Sequence, residues 1–165
     1  MDGARGLSLA LVIAGMGCGP AFAQALDDTA FEQQGKASYY HNRFEGRRTA
    51  NGEVLDQDKF TAASTSLPLG TRVTVINQEN GRSVDVRVNE RGPHVRGRVI
   101  DVTEAAAEKL DMKQDGITKV KVVARPSAQP NERLKAKVRQ KVAAKKAVQQ
   151  QQTKKPVAVH RVAQN

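Results

Sequence analysis

Disulfides are excluded at the outset, because Cys18 is the only cysteine in 165 residues and a lone thiol has no partner within its own chain. Long apolar runs are missing too. The best of them, residues 7–16, is followed by Gly17, Gly19 and Pro20, well short of the about 18 consecutive apolar residues that mark a membrane-spanning helix. That stretch does fit an export signal. Arg5 ahead of it and Ala21-Phe22-Ala23 behind it supply a charged start and a small-x-small cleavage pattern. We therefore read residues 1–23 as a signal peptide and 24–34 as a short linker, which predicts export to the periplasm or cell envelope. Cys18 then lies in the segment to be removed, leaving a thiol-free domain. A lipidated Cys18 at the outer membrane is the alternative; Gly17 suits it, and Gly15, where a larger aliphatic is usual, opposes it.

Several kinds of chemistry lack their signatures. There is no His-x-x-His, no cysteine pair and no cluster of acids at ligand spacing, so neither a metal site nor a cofactor is expected. A Gly-x-Ser-x-Gly nucleophile elbow and a phosphate-cradling glycine loop are also missing. The C-terminal tail lacks acids: from Arg125 onward eleven Lys or Arg face Glu132 alone, which accounts for the whole formal net charge of +10. Its apolar residues are Ala, Val and one Leu, and Gln149 to Gln152 are low in complexity. Residues 125–165 are accordingly expected to be a basic, low-complexity arm, disordered or partly helical between residues 132 and 148. Such an arm is either simply solvated or adheres to anionic envelope polymers or a membrane surface. Export argues against nucleic acid as its partner.

What is present lies between residues 35 and 124. The segments RVTVIN (residues 72–77) and SVDVRVN (residues 83–89) flank a loop containing Asn80-Gly81, a strong hairpin signal because both residue types tolerate positive φ. In the second segment Val84, Val86 and Val88 share one face, and Asp85, Arg87 and Asn89 the other. Residues 119–123 repeat the alternation; 36–40 and 60–63 are shorter candidates. Thr103 is placed to cap a helix over residues 104–110, with Glu104 in its first turn. Short strands around one or two short helices, without the alternating helices of a parallel α/β sheet, predict a mainly β protein built as a small closed barrel. A monomer is expected.

Polar residues gather in four stretches at the expected strand ends: residues 38–48, 49–53, 61–70 and 89–101. Among them the carboxylates Glu53, Glu90 and Asp101 are the groups able to move protons. Glu90 stands apart because Gly92-Pro93 makes the chain leave the strand immediately after it. A carboxyl partly desolvated at such a corner can act as a general acid. An Arg-Glu turn clamp with Arg91 is the alternative.

Six motifs then occur in one order and spacing: Gly35-Lys36-Ala37-Ser38-Tyr39-Tyr40, Arg48-Thr49-Ala50-Asn51-Gly52-Glu53, Thr61-Ala62-Ala63, Leu67-Pro68-Leu69-Gly70-Thr71, Val75-Ile76-Asn77 with Asn80-Gly81-Arg82-Ser83, and Asn89-Glu90-Arg91-Gly92-Pro93. Together, over about residues 35–123, they resemble the rare lipoprotein A family. The resemblance implies a six-stranded double-psi β-barrel related to that of expansins. It also implies a septal-ring, endolytic lytic transglycosylase acting on peptidoglycan glycan strands stripped of stem peptides. In that chemistry the C6 hydroxyl of the muramic sugar attacks its own anomeric carbon, so one acid/base group can suffice. Carried over, the acid falls on Glu90, with Glu53 and position 64 in support, and with Tyr39, Asn51, Asn89, Arg91 and Asp101 as candidates for holding sugar.

Three positions depart from the family pattern. Glu90 replaces Asp, adding a methylene that moves the oxygens by about 1 Å, enough to matter for a positioned acid. Ser64 replaces His, which keeps hydrogen bonding but loses proton exchange near neutral pH. Tyr39 replaces Trp and remains an aromatic platform. His41 and His94 are spare imidazoles, read either as substitutes for the missing His or as exposed loop residues. The family's usual C-terminal glycan-binding module finds its place occupied by the basic tail. A non-catalytic, expansin-like glycan-binding barrel is therefore the alternative function; Ser64 favours it, and the two retained carboxylates favour the enzyme.

Overall fold

The computed structural model describes residues 28–154. The expected signal peptide, Cys18 and the last residues of the tail lie outside the described residues. Six strands are formed: β1 (Phe31–Tyr39), β2 (Thr61–Ala63), β3 (Arg72–Asn77), β4 (Ser83–Glu90), β5 (Arg98–Val102) and β6 (Ile117–Ala124). They close into a barrel in the order β1-β5-β2-β4-β3-β6. Two parallel pairs, β1 with β5 and β2 with β4, are set among antiparallel ones. This is the double-psi arrangement that the resemblance implied.

Alternation builds the core. Val73 and Val75 of β3, Val86 and Val88 of β4, and Val120 and Val122 of β6 are buried, and they meet Ala37, Ile100 and Val102 inside the barrel. Fully burying a side chain of this kind stabilises by about 1.5–3 kcal/mol, so a closed ring of valines suffices without large aromatics. Strands β3 and β4 span the expected residues, and Gly81 makes their connection at φ +74°.

Three elements differ from the sequence expectation. Strand β1 starts at Phe31, inside the stretch read as a linker, because Phe31 is buried and pairs with Ala124 at the far end of β6. Strand β5 lies in a stretch read as strand end and loop; Ile100 and Val102 give it an apolar side only after the charged run Arg96 to Arg98. The helix α1 (Glu104–Lys109) is present, but Thr103 does not cap it through its side chain. Its hydroxyl instead donates to the Lys59 carbonyl, while Gln57 accepts from the Glu104 N–H at 2.9 Å. A residue distant in sequence supplies the cap.

The tail takes the partly helical form, and more of it than expected. Helix α2 (Glu132–Lys154) places Leu134, Val138 and Val142 on one stripe, and all three are buried. Small side chains suffice because the helix comes in close: Gly70, at φ +87°, lies beneath the Leu134 methyls, and Val138 and Val142 join the core cluster. Gln129 ties the approach to the barrel, accepting from the Arg72 N–H and donating to the Arg72 carbonyl, both at 2.9 Å.

Candidate active site

A cleft of about 610 Å³ opens where β4 ends, walled by the end of β1, residues 41–49, and the turn after β4. Glu90, Arg91, Tyr39 and Asp101 line it, as do His41, His94, Tyr40 and Phe44. Glu90 is half-buried in its lining. The register between β2 and β4 skips there, Ala62 facing Val88 and Ala63 facing Glu90, so that Asn89 is the extra residue of a bulge. Gly92 then takes φ +144°, a conformation that side chains disfavour, and turns the chain away.

No guanidinium clasps Glu90 among the described residues. One carboxyl oxygen accepts from the Ala50 N–H at 3.1 Å and the other from the Arg91 N–H. The Arg91 side chain points elsewhere, donating to the carbonyls of Ser64 and Leu67 at 2.8 and 2.5 Å. The clamp alternative is thus not the arrangement formed.

Glu53 has the opposite surroundings. Arg87 grips it through two hydrogen bonds of 2.8 Å, and Asn89 adds a weak one at 3.5 Å. The Arg87 hydrogen bonds, with its charge, hold the Glu53 carboxyl below the ordinary glutamate range near 4.5. It lines a neighbouring hollow with Val54, Asp56, Lys59, Thr61, Arg87 and Asn89, not the cleft of Glu90. Ser64 is buried behind the cleft. Its N–H donates to the Glu90 carbonyl at 3.1 Å, its carbonyl receives Arg91, and its hydroxyl accepts from the Ser66 N–H at 3.3 Å.

The remaining candidates divide in the same way. Asp101 lines the cleft but is held by Ser38 at 2.6 Å and by Arg98 at 3.1 Å. Asn51 belongs to a turn, accepting from the Thr49 hydroxyl at 2.7 Å and the Glu53 N–H at 3.2 Å. Asn89 is buried and outside the cleft. Tyr39 lends part of itself to the lining, although its hydroxyl reaches the Lys113 carbonyl at 3.4 Å. Sequence reasoning passed over Tyr40 and Phe44. The Tyr40 hydroxyl is buried with no hydrogen-bond partner among the described residues. Burial first, then the charges of Asp101 and Glu90, raise it far above the usual phenol range. The adjacent Tyr39-Tyr40 pair at the end of β1 was the available signal, and both line the cleft. Both spare imidazoles, His41 and His94, stand in the lining.

The fold and site define a double-psi barrel with a carboxyl-bearing cleft at its rim. The family described as lytic transglycolase matches residues 32–122, and the chain belongs to that family. It is 50% identical over 92 residues to an endolytic peptidoglycan transglycosylase RlpA of Neisseria meningitidis, covering 56% of this chain and 38% of that one. It is 49% identical over 96 residues to the enzyme of the same name in Pseudomonas aeruginosa, covering 58% of this chain and 28% of that one. A probable enzyme of that name in Treponema pallidum is 48% identical over 89 residues, covering 54% and 28%. The chain thus spans about a third of the length of the curated relatives it matches. Among solved structures, Streptomyces papain inhibitor is similar at 24% identity and TM-score 0.47, covering 58% of this chain and 96% of that one. An apo-Clavibacter michiganensis expansin follows at 21% and 0.46, covering 57% and 50%.

Proposed function

We propose that this protein is an exported lytic transglycosylase that cleaves peptidoglycan glycan strands, with Glu90 as its acid/base group. One observation carries the reading: Glu90 opens into the cleft held, among the described residues, by backbone N–H groups alone and with no ion pair. Protonated Glu90 gives its proton to the glycosidic oxygen as the bond from the muramic anomeric carbon breaks, and the glucosamine unit leaves with a free hydroxyl. The muramic C6 hydroxyl forms the new bond to that carbon and returns its proton to the Glu90 carboxylate. The product is a 1,6-anhydro end, with neither water nor any other reactant consumed.

Around this step, Ser64 fixes the backbone of Glu90, Arg91 pins the 64–67 loop, and the Arg98-Asp101-Ser38 network makes a rigid wall. Tyr40 and Phe44 offer the cleft its aromatic surface. An imidazole from His41 or His94 takes the place of the family's missing His at the cleft rather than at position 64. Glu53 acts at a distance, keeping Arg87 and the 49–53 turn in position. The protein works as a monomer in the periplasm or cell envelope.

The test is mass spectrometry of stem-peptide-free glycan strands after incubation with the protein. Anhydro ends that disappear with Glu90→Gln are the expected result. Strands that bind but gain no such ends would instead identify a glycan-binding barrel, the reading that burial of Ser64 away from the cleft favours.

A further inference from the structure

Helix α2 holds eight Lys or Arg against Glu132 alone, and Lys135 already pairs with Glu132 at 2.6 Å. Grouping like charges on one element opposes folding unless an anion answers them. The apolar stripe of Leu134, Val138 and Val142 is buried on the barrel, so it is not available to enter a lipid layer. On the side of the helix away from that stripe, Ala136, Ala143 and Ala147 are exposed and carry no charge. A flat anionic surface laid on α2 would therefore meet a neutral ridge.

The cations stand beside this ridge, and on one side they line a groove of about 490 Å³ between α2 and residues 65–68. Lys137 and Lys141 form its helix wall, one turn apart and so about 6 Å along the axis. Thr65 and Ser66 bring hydroxyls from the loop, Arg91 joins the lining, and no acid is present in it. Lys137, Lys141 and Arg91 have no ion pair among the described residues. Arg91 uses Nη1 for the carbonyls of Ser64 and Leu67, which leaves its other guanidinium nitrogens to a ligand. Donors thus converge from helix, loop and Arg91. Three directions suit the tetrahedral oxygens of a phosphate better than a flat carboxylate.

We propose that this groove is a docking site, separate from the cleft of Glu90, for a linear polymer that carries a phosphate in each repeat. Successive phosphates lie against Lys137 and Lys141, and Arg91 with the loop hydroxyls closes over one of them. A chain can lie along the groove, whereas a membrane is kept from the lysines by the neutral ridge. Docking there anchors the protein on a phosphate-rich envelope polymer without occupying the cleft.

The experiment measures binding of the full chain to a fluorescently labelled linear polyphosphate by anisotropy, over a series of salt concentrations. Lys137→Gln/Lys141→Gln is expected to weaken binding by about tenfold or more, the scale of lost charge-assisted hydrogen bonds, and to flatten its salt dependence. Arg133→Gln/Arg139→Gln removes the same charge from α2 outside the groove and is expected to cost about twofold at most, the size of a screened surface charge. All four side chains are exposed or half-exposed, so both variants keep the fold. Equal losses in the two variants would reduce the effect to net charge and overturn the proposal. Two further results would do the same: wild-type binding to polygalacturonate, a polycarboxylate, as tight as to polyphosphate, or tighter binding to vesicles of anionic phospholipid.

Discussion

Glu53 and Glu90 come from two halves of one site pattern, yet the fold gives them opposite surroundings. Asn89 and Glu90 are consecutive, and the bulge between them sends one to each of two hollows. Glu90 meets backbone N–H groups and space; Glu53 meets Arg87 in a bidentate grip. A carboxyl gripped by both nitrogens of a guanidinium has its oxygens taken up, whereas one that accepts only from two backbone N–H groups keeps its remaining lone pairs directed at whatever enters. The pair shows that two acids retained in one pattern need not share one cleft.

The sharpest way to break this contrast is to neutralise each acid in turn. Glu90→Gln is expected to lower anhydro-end formation by about 10²- to 10⁴-fold, the usual worth of a general acid/base, while costing about 0.5–1.5 kcal/mol of stability because one of the two backbone N–H groups loses its acceptor. Thermal melts measured beside the product assay separate the two effects. Next in size is Glu90→Asp, which restores the family's residue on a backbone shaped for the longer one. Withdrawing the oxygens about 1 Å from the Ala50 N–H is expected to cost about 10- to 100-fold in kcat. Activity equal to the wild type would mean that the Ala50 contact does not position the acid.

Smallest is Glu53→Gln. Half-exposed and gripped at the surface, the Glu53-Arg87 pair should contribute about 0.2–1 kcal/mol to stability in a double-mutant cycle with Arg87→Gln. Because folding lowers the Glu53 pKa, its contribution is complete above the ordinary value near 4.5 and is lost as pH falls through the lower folded value. The gap in thermal midpoint between wild type and Glu53→Gln should therefore close on acidification below that range. A gap that stayed open would assign the stabilisation to packing rather than charge.

Much of the barrel was legible because alternation is a local signal: the valines of β3, β4 and β6 declare their faces residue by residue. Strand β5 was not, since its burial depends on β1 and β2 closing around it. The cap of α1 was equally hidden, because Gln57 arrives from a distant loop. The reach of α2 escaped a reading by side-chain size, as its docking depends on a glycine in another segment. At the site, the motifs pointed to Glu90, Arg91 and Tyr39, and the polar stretch 89–101 to Asp101, all of which line the cleft. They could not show that Arg87 captures Glu53, or that Ser64 faces inward, because both depend on how β4 bulges.

Strand β1 has as neighbours only β5 and β6, the two strands made last. A chain that emerges amino end first must therefore carry its first strand unmatched until residue 98 exists, and cannot seal the ring until β6 is complete. Distant partnering of this kind makes for slow closure. On the export proposed above, that delay keeps the chain in a state that can still be threaded through a pore.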